Sequence, residues 1–223
     1  MIIKIKQTAS NIKQQFDIDS DSFTALGKIG SYSKYQKITL TNRHTNILGK
    51  FKFSNPVNYI PFRYLFKHPN RIQKFLLFKD GKALGDIVKS VDGFFKTRYI
   101  ITLNDGNTFY CYSISNGRFN NISVYENDNQ IALIETFLTT TDFKYNHKLY
   151  ILDEYNKYAE IFTFFTLYYS SFYFSKRFHM SAASNYSASY SLSAYNDKFD
   201  PSWREEHFPD ENFFGKINLF KDN

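Results

Sequence analysis

Residues 78–90 read FKDGKALGDIVKS, and residues 20–31 read SDSFTALGKIGS. Each places Ala-Leu-Gly, a charged residue and Ile just after a short polar turn, and a looser echo, ENDNQIALIETF, follows at residues 126–137. The surroundings of each copy repeat as well. A strand-like run ends in turn residues, the Ala-Leu-Gly run follows, and further alternating runs come after it. Ala25 and Ala83 are 58 positions apart and Ala83 and Ala132 are 49 apart, so the period is irregular. One insertion in the first copy, SNPVNYIPFRYLFKHPN at residues 54–70, accounts for its extra length. Repeats at this period indicate a stacked or closed β architecture, because one hairpin pair cannot bury its own apolar face.

The periodicity between the copies is that of strands. QKITLT (36–41), ILGKFKF (47–53), FKTRYIITL (95–103) and NTFYCYSIS (107–115) alternate apolar and polar residues. Asp80-Gly81, Asp105-Gly106 and Asn116-Gly117 read as type I′ hairpin turns, which require φ > 0. Counting runs and turns gives about twelve short strands before residue 153. Their close spacing leaves no room for crossover helices, so the sheet is expected to be antiparallel.

The pattern then changes. EYNKYAEIFTFFTLYYSSFYFSKR (154–177) is apolar around its whole circumference and shows no period-2 alternation. A helix without a polar face belongs inside something. A buried pair of strands is the rival, disfavoured because some twenty residues pass without a turn signal. The strongest apolar run, residues 161–174, is 14 residues long, short of the roughly 20 that cross a bilayer. A barrel of a dozen strands is too wide for its own side chains to fill. A helix roughly 10 Å across is a plug of the right size. The fold expected is mainly β: a closed twelve-stranded antiparallel barrel around a central hydrophobic C-terminal helix, over residues 1–177.

Threefold hairpin repeats with polar turns, the strand in DGKALGDI and a terminal apolar helix resemble the tubby carboxy-terminal-like, LURP-one-related domains, over about residues 2–177. The resemblance implies the same closed barrel around a helix, and a non-catalytic module. Relatives with this fold include proteins that bind phosphoinositides and proteins associated with lipid scrambling. No headgroup-binding motif can be matched residue by residue.

Residues 178–223 lie outside the resemblance. SAASNYSASYSLSAYND is biased to Ser, Ala and Tyr, as linkers are. The end that follows carries Trp203, Phe208, Phe213, Phe214, Ile217 and Phe220, which would be wasted on a solvated tail. It is expected to dock on its own barrel or on a partner.

No catalytic residues are indicated. The chain has no Gly-x-Ser-x-Gly elbow, Walker loop or Gly-x-Gly-x-x-Gly fingerprint. His44, His68, His147, His179 and His207 show no metal-ligand spacing and read as solvated surface histidines. The single cysteine, Cys111, sits in an alternating apolar run and reads as a buried structural thiol. No metal and no cofactor are expected. The start of the chain has no apolar run of signal-peptide type, so a cytoplasmic protein is expected, with peripheral membrane association, or a short membrane segment at residues 161–174, as the alternatives.

Charge offers the functional lead. Residues 1–100 hold 18 Lys and Arg against 6 Asp and Glu, and residues 101–223 hold 10 against 15, for a total of +7. A basic half invites an anionic membrane surface, an acidic protein or, less readily, nucleic acid. Plain outward-facing lysines on solvated strands are the alternative. Within the insertion, Tyr59, Phe62, Tyr64 and Phe66 interleave with Arg63, Lys67 and Arg71. Rings beside cations suit a membrane interface, where rings sit at headgroup depth and cations meet phosphates. They suit single-stranded nucleic acid too, and equally a loop folded over an open barrel end.

Overall fold

The computed structural model describes residues 1–10, 13–30, 37–51, 74–92, 96–115, 120–138, 144–173 and 195–209. Twelve strands close into one barrel in simple meander order. They are β1 (Ile2–Ser10), β2 (Lys13–Ser20), β3 (Thr24–Gly30), β4 (Lys37–Asn42), β5 (Asn46–Phe51) and β6 (Lys74–Lys79). The second half is β7 (Lys82–Asp92), β8 (Lys96–Leu103), β9 (Thr108–Ser115), β10 (Asn120–Glu126), β11 (Asn129–Leu138) and β12 (Tyr145–Ile151). Every pairing is antiparallel, and β1 closes the ring on β12 with Ile3 opposite Leu149 and Ile5 opposite His147. Closure leaves no free sheet edge.

The threefold repeat is four strands deep. The Ala-Leu-Gly strands are β3 and β7, each second in its unit, and β11 is their counterpart. The third unit, β10 to β12, borrows its fourth strand from the start of the chain, β1. The structure also corrects the register of the third copy. In β7 a bulge lies between the pairs Leu77–Gly85 and Phe78–Ala83, and in β11 the matching bulge lies between Val124–Ala132 and Tyr125–Gln130. Gly85 therefore corresponds to Ala132, and Ala83 to Gln130. A small residue at Gly27, Gly85 and Ala132 is what the three copies share. At Gly27 the reason is visible: an added Cβ would stand 2.7 Å from Leu167 Cδ1.

The Asp80-Gly81 turn has φ of 50° and 81°, as a type I′ turn requires. Asp105-Gly106 joins β8 and β9 in a hairpin as expected, but the turn is not of type I′. Only Gly106 has positive φ, 94°, in a longer turn in which Leu103 and Asn107 close the loop and Asp105 Oδ1 accepts the Asn107 amide at 3.0 Å. Asn116-Gly117 lies outside the described residues.

Inside the ring stand a 3₁₀ turn (Asp153–Tyr158) and helix α1 (Ala159–Tyr173). Residues 161–171 are all buried. Phe162, Phe164, Phe165 and Leu167 are 0% exposed, among inward side chains such as Ile3, Phe75, Tyr99, Phe109 and Ile134. Several wall and helix rings meet edge to face, among them Phe109 with Phe162 at 5.0 Å and Tyr99 with Phe165 at 5.6 Å. Cys111 is buried in this core, as expected. No helix among the described residues is long and apolar enough to cross a membrane.

A helix that is apolar all round has no hydrophobic preference for one rotation, and polar contacts supply it. At its start Glu160 Oε1 accepts from Asn42 Nδ2 at 2.5 Å and Thr45 Oγ1 at 2.6 Å, while Oε2 meets Lys79 Nζ at 2.6 Å. Further on, Tyr169 OH bonds Ser113 Oγ at 2.6 Å and Ser170 Oγ bonds His147 Nε2 at 2.7 Å. These contacts engage β4 to β6, β9 and β12, on different sides of the ring.

The C-terminal segment 195–209 docks on the outside. Trp203, in the short helix α2 (Trp203–His207), is 5% exposed against Leu133 and Tyr150, with Phe199 and Phe208 at the margin. Arg204 Nε lies 3.8 Å from Glu135 Oε1, whose other oxygen accepts from Tyr150 OH at 3.1 Å. Phe213, Phe214, Ile217 and Phe220 lie outside the described residues.

The tightest strand-to-helix approach is at Gly49, where an added Cβ would overlap Phe75 Cε1 and reach Phe164 Cζ. Gly49→Ala is expected to cost roughly 1–3 kcal/mol by overpacking. Urea denaturation checks this against Gly30→Ala, whose added Cβ meets its nearest atom only at 3.6 Å, an ordinary contact distance.

Candidate functional site

The antiparallel meander sends alternate connections to opposite ends of the barrel. At the end where α1 begins, the connections are residues 21–23, 43–45, 80–81, 104–107, 127–128 and 152–158. They carry Asp21, Asp80, Asp105, Asp128, Asp153 and Glu154 against Arg43 and Lys157. At the other end, strands are joined by residues 11–12, 31–36, 52–73, 93–95, 116–119 and 139–144. In sequence these carry Lys34, Lys52, Arg63, Lys67, Arg71, Arg118 and Lys144 against Asp142 alone. In sequence, the connections at the two ends thus carry opposite net charge.

Most charged strand residues nearest the second end share its sign, Asp92 opposite Lys96 being the exception. Lys37 and Lys50 stand directly opposite each other on β4 and β5. Like charges in facing positions destabilise a sheet. With Lys28 they are exposed, and none of the three forms an ion pair among the described residues. Lys50 lies 4.8 Å from the Phe78 ring centre, and half-buried Leu48 and Leu76 stand beside it on the outer wall. Lys74 is paired with Asp86 at 3.0 Å, and Arg98 lies 5.6 Å from the Tyr110 ring centre. Tyr59, Phe62, Arg63, Tyr64, Phe66, Lys67 and Arg71 all belong to the connection between β5 and β6, outside the described residues. The strands place that connection at the basic end. The wall lysines were not singled out by sequence, because single lysines on alternating strands look alike until the register pairs them.

The acidic end has a local cause. Asp80 Oδ1 accepts the Asn46 amide at 2.8 Å, and Asp105 is held below the usual carboxylate range by hydrogen bonds from Asn107. Aspartate in tight turns serves the turn. Beside this end lies a groove of about 410 Å³ between the barrel rim and the C-terminal segment, with Tyr125, Tyr155 and Trp203 among its walls.

His147 corrects the surface reading of the histidines. His44 and His207 are exposed, but His147 is 2% exposed inside the barrel. Its Nδ1 meets Thr136 Oγ1 at 2.9 Å and its Nε2 meets Ser170 Oγ at 2.7 Å. Ser–His–Thr contacts superficially match a nucleophile, base and orienting group. Burial, however, drives the imidazole down to about 3, so it is a poor base, and Ser170 is 0% exposed. The chain of bonds positions the helix. His68 and His179 lie outside the described residues. Among the described residues no three His, Cys, Asp or Glu side chains group to hold a metal.

Comparison with known proteins gave no match: no family model, no curated protein and no solved structure is similar to this chain. The fold defines its class as a closed β-barrel with a central helix, and the site must be read from its own chemistry.

A neutral buried His147 makes the fold acid-sensitive. Its folded value, about 3, lies below the unfolded 6.5, so the unfolded chain binds more protons between them. The stability is fully present above 6.5 and falls as pH drops from 6.5 towards 3. A loss of about 2 kcal/mol is expected between pH 7.5 and 5, at the constant 1.36 kcal/mol per pKa unit. Above pH 5 ordinary carboxylates contribute little, and Glu135, raised first by burial, acts with the opposite sign. Denaturation midpoints across this range should slope steeply, and the slope should flatten in His147→Gln.

Proposed function

We propose that the protein is a non-catalytic module that binds anionic phospholipid headgroups at a membrane surface, through the basic end of its barrel. The observation that carries this reading is the axial segregation of charge. Lys28, Lys37 and Lys50 stand exposed without carboxylate partners among the described residues, next to connections that bring seven further cations in sequence. Turn chemistry explains the acids at the opposite end, but no fold requirement explains facing lysines on β4 and β5.

The connections at the basic end also hold Tyr32, Tyr35, Phe53, Tyr59, Phe62, Tyr64, Phe66, Phe94, Phe95, Phe119 and Phe143. Rings and cations at one end of a rigid barrel suit headgroup depth. In this reading Arg63, Lys67 and Arg71 meet phosphates, and Tyr59, Phe62, Tyr64 and Phe66 anchor in the interface. The proposal includes a place among the tubby-like, LURP-one-related domains, supported by the twelve-stranded barrel around a helix. It also includes a position at the cytoplasmic face of the membrane.

Co-sedimentation with vesicles tests the proposal, comparing neutral with phosphatidylserine-containing membranes at low and high salt. Binding to the anionic vesicles alone is expected, weakening as salt screens the contact. At about 1 kcal/mol per cation near the surface, Lys37→Gln with Lys50→Gln should lower the partition coefficient about 30-fold. Arg63→Glu, Lys67→Glu and Arg71→Glu together should abolish binding. Equal association with both vesicle types, or none with either, sinks the lipid reading and leaves the basic end to an acidic protein.

A further inference from the structure

We propose that the barrel interior near the basic end is an acid-operated release for the plug helix, in which proton uptake by His147 frees the last turn of α1 while the strands stay closed. This device goes beyond the lipid reading and does not depend on it.

The inward side chains near that end are of two kinds. On β3, β4, β6 and β8 they are Ile29, Ile38, Phe75 and Tyr99, all buried in the hydrophobic core. On β1, β2, β11 and β12 they are Gln7, Gln14, Thr136 and His147, equally buried but polar. Ile5 stands opposite His147, and Gln7 lies two residues nearer the mouth on β1. Gln14 follows on β2, one residue from the start of the strand. Gln7 Oε1 accepts the Tyr145 amide at 2.9 Å, so this side chain serves the wall and not the helix. A polar sector thus runs from His147 to the mouth, and groups of this kind give entering water its partners.

Among these residues His147 is the one whose side chain changes charge near neutrality. It is clamped between wall and plug, by Thr136 Oγ1 at 2.9 Å and Ser170 Oγ at 2.7 Å. Ile5 on β1 and Phe16 on β2 also face it, the Phe16 ring centre 6.2 Å away. The charged residues next along these strands are Lys4, Lys6, Asp17, Glu135 and Lys148, and strand alternation turns them to the outer wall. Glu160, the charged residue of α1, is ten residues back from Ser170, about 15 Å along the helix. The phenols of Tyr168 and Tyr169 on α1 do not titrate in the acid range.

Charge, rather than hydrogen bonding, is what the closed site rejects. Both hydroxyls can accept, so an imidazolium could keep both bonds, but a cation shut away from water is costly. Burial accordingly holds the ring down to about 3, against 6.5 in water. An arrangement that lets water reach the ring binds the proton better and gains population as pH falls below 6.5. The helix end yields with the least loss. Ser170 lies in the last turn of α1, three residues from Tyr173, whereas Thr136 sits on a strand paired on both sides. Moving that turn breaks the Ser170 bond and admits water along Gln7 and Gln14.

Amide hydrogen exchange on the full chain tests the release, read by NMR at pH 7.5 and 5 in several low concentrations of urea and corrected for intrinsic rates. At pH 5 the amides of residues 168–171 are expected to be about 30-fold less protected than at pH 7.5. Their exchange should be insensitive to urea, because a local opening exposes little surface. Amides of β4 and β9 should keep the steep urea dependence of global unfolding. The proposal is overturned if residues 168–171 follow the strand amides in urea at pH 5, since the helix end then leaves only when the barrel unfolds. Equal protection at the two pH values overturns it too. His147→Gln should remove the pH effect at residues 168–171. A fall in this variant as large as in the parent chain assigns the release to another group and sinks the proposal.

Discussion

A ring of twelve strands encloses more space than its own inward side chains can fill, and everything else in this protein follows from how that space is occupied. One helix does it. Phe162, Phe164, Phe165, Leu167, Tyr168 and Tyr169 are at most 2% exposed, and each such residue contributes on the order of 1.5–3 kcal/mol by leaving water. Middling helix formers can make a helix here because the barrel supplies the burial that local propensity does not. The demand runs the other way too. Inward positions on the strands must be small where the helix comes close, which is why Gly27 faces Leu167 and Gly49 faces Phe164.

Filling the space does not decide how the plug is turned. Glu160, Tyr169 and Ser170 decide it, each bonded to a different part of the wall. Burying these polar groups is tolerable only because they are paired. His147 shows how far the arrangement goes: a ring that would be partly charged near neutrality in water is kept neutral so that it can tie Ser170 to Thr136. The same bonds that select one rotation place an acid-labile point in the centre of the fold.

These two layers differ in how clearly the sequence shows them. Alternation, turn residues and the circumferentially apolar segment are local patterns, so strand count, closure and plug can be read from residues alone. Register is not local. The third repeat looks aligned on Ala83 and Ala132, yet a bulge in β11 puts Ala132 where Gly85 stands. His147 misleads for a related reason. In YNHKLY it sits between polar neighbours, and only its position opposite Ile5 shows that it faces inward. The site divides the same way. The cationic, aromatic connection at residues 54–70 is visible as composition, whereas Lys37 becomes notable only when Lys50 is found across from it. The groove was invisible, since its walls come from β10, β11, the 3₁₀ turn and the C-terminal segment.

An up-and-down barrel makes one further separation unavoidable. Every strand joins a connection at one end to a connection at the other, so selection for charge at one end leaves the other free to differ. Here the short turns draw aspartates for conformational reasons, and the longer connections collect lysine, arginine and aromatic residues. The helix dipole runs along the same axis in the opposite sense, its positive N-terminus and Glu160 lying at the acidic end, so it offsets part of this segregation. A body polarised in this way approaches an anionic surface in one orientation, because turning it over brings carboxylates to the headgroups.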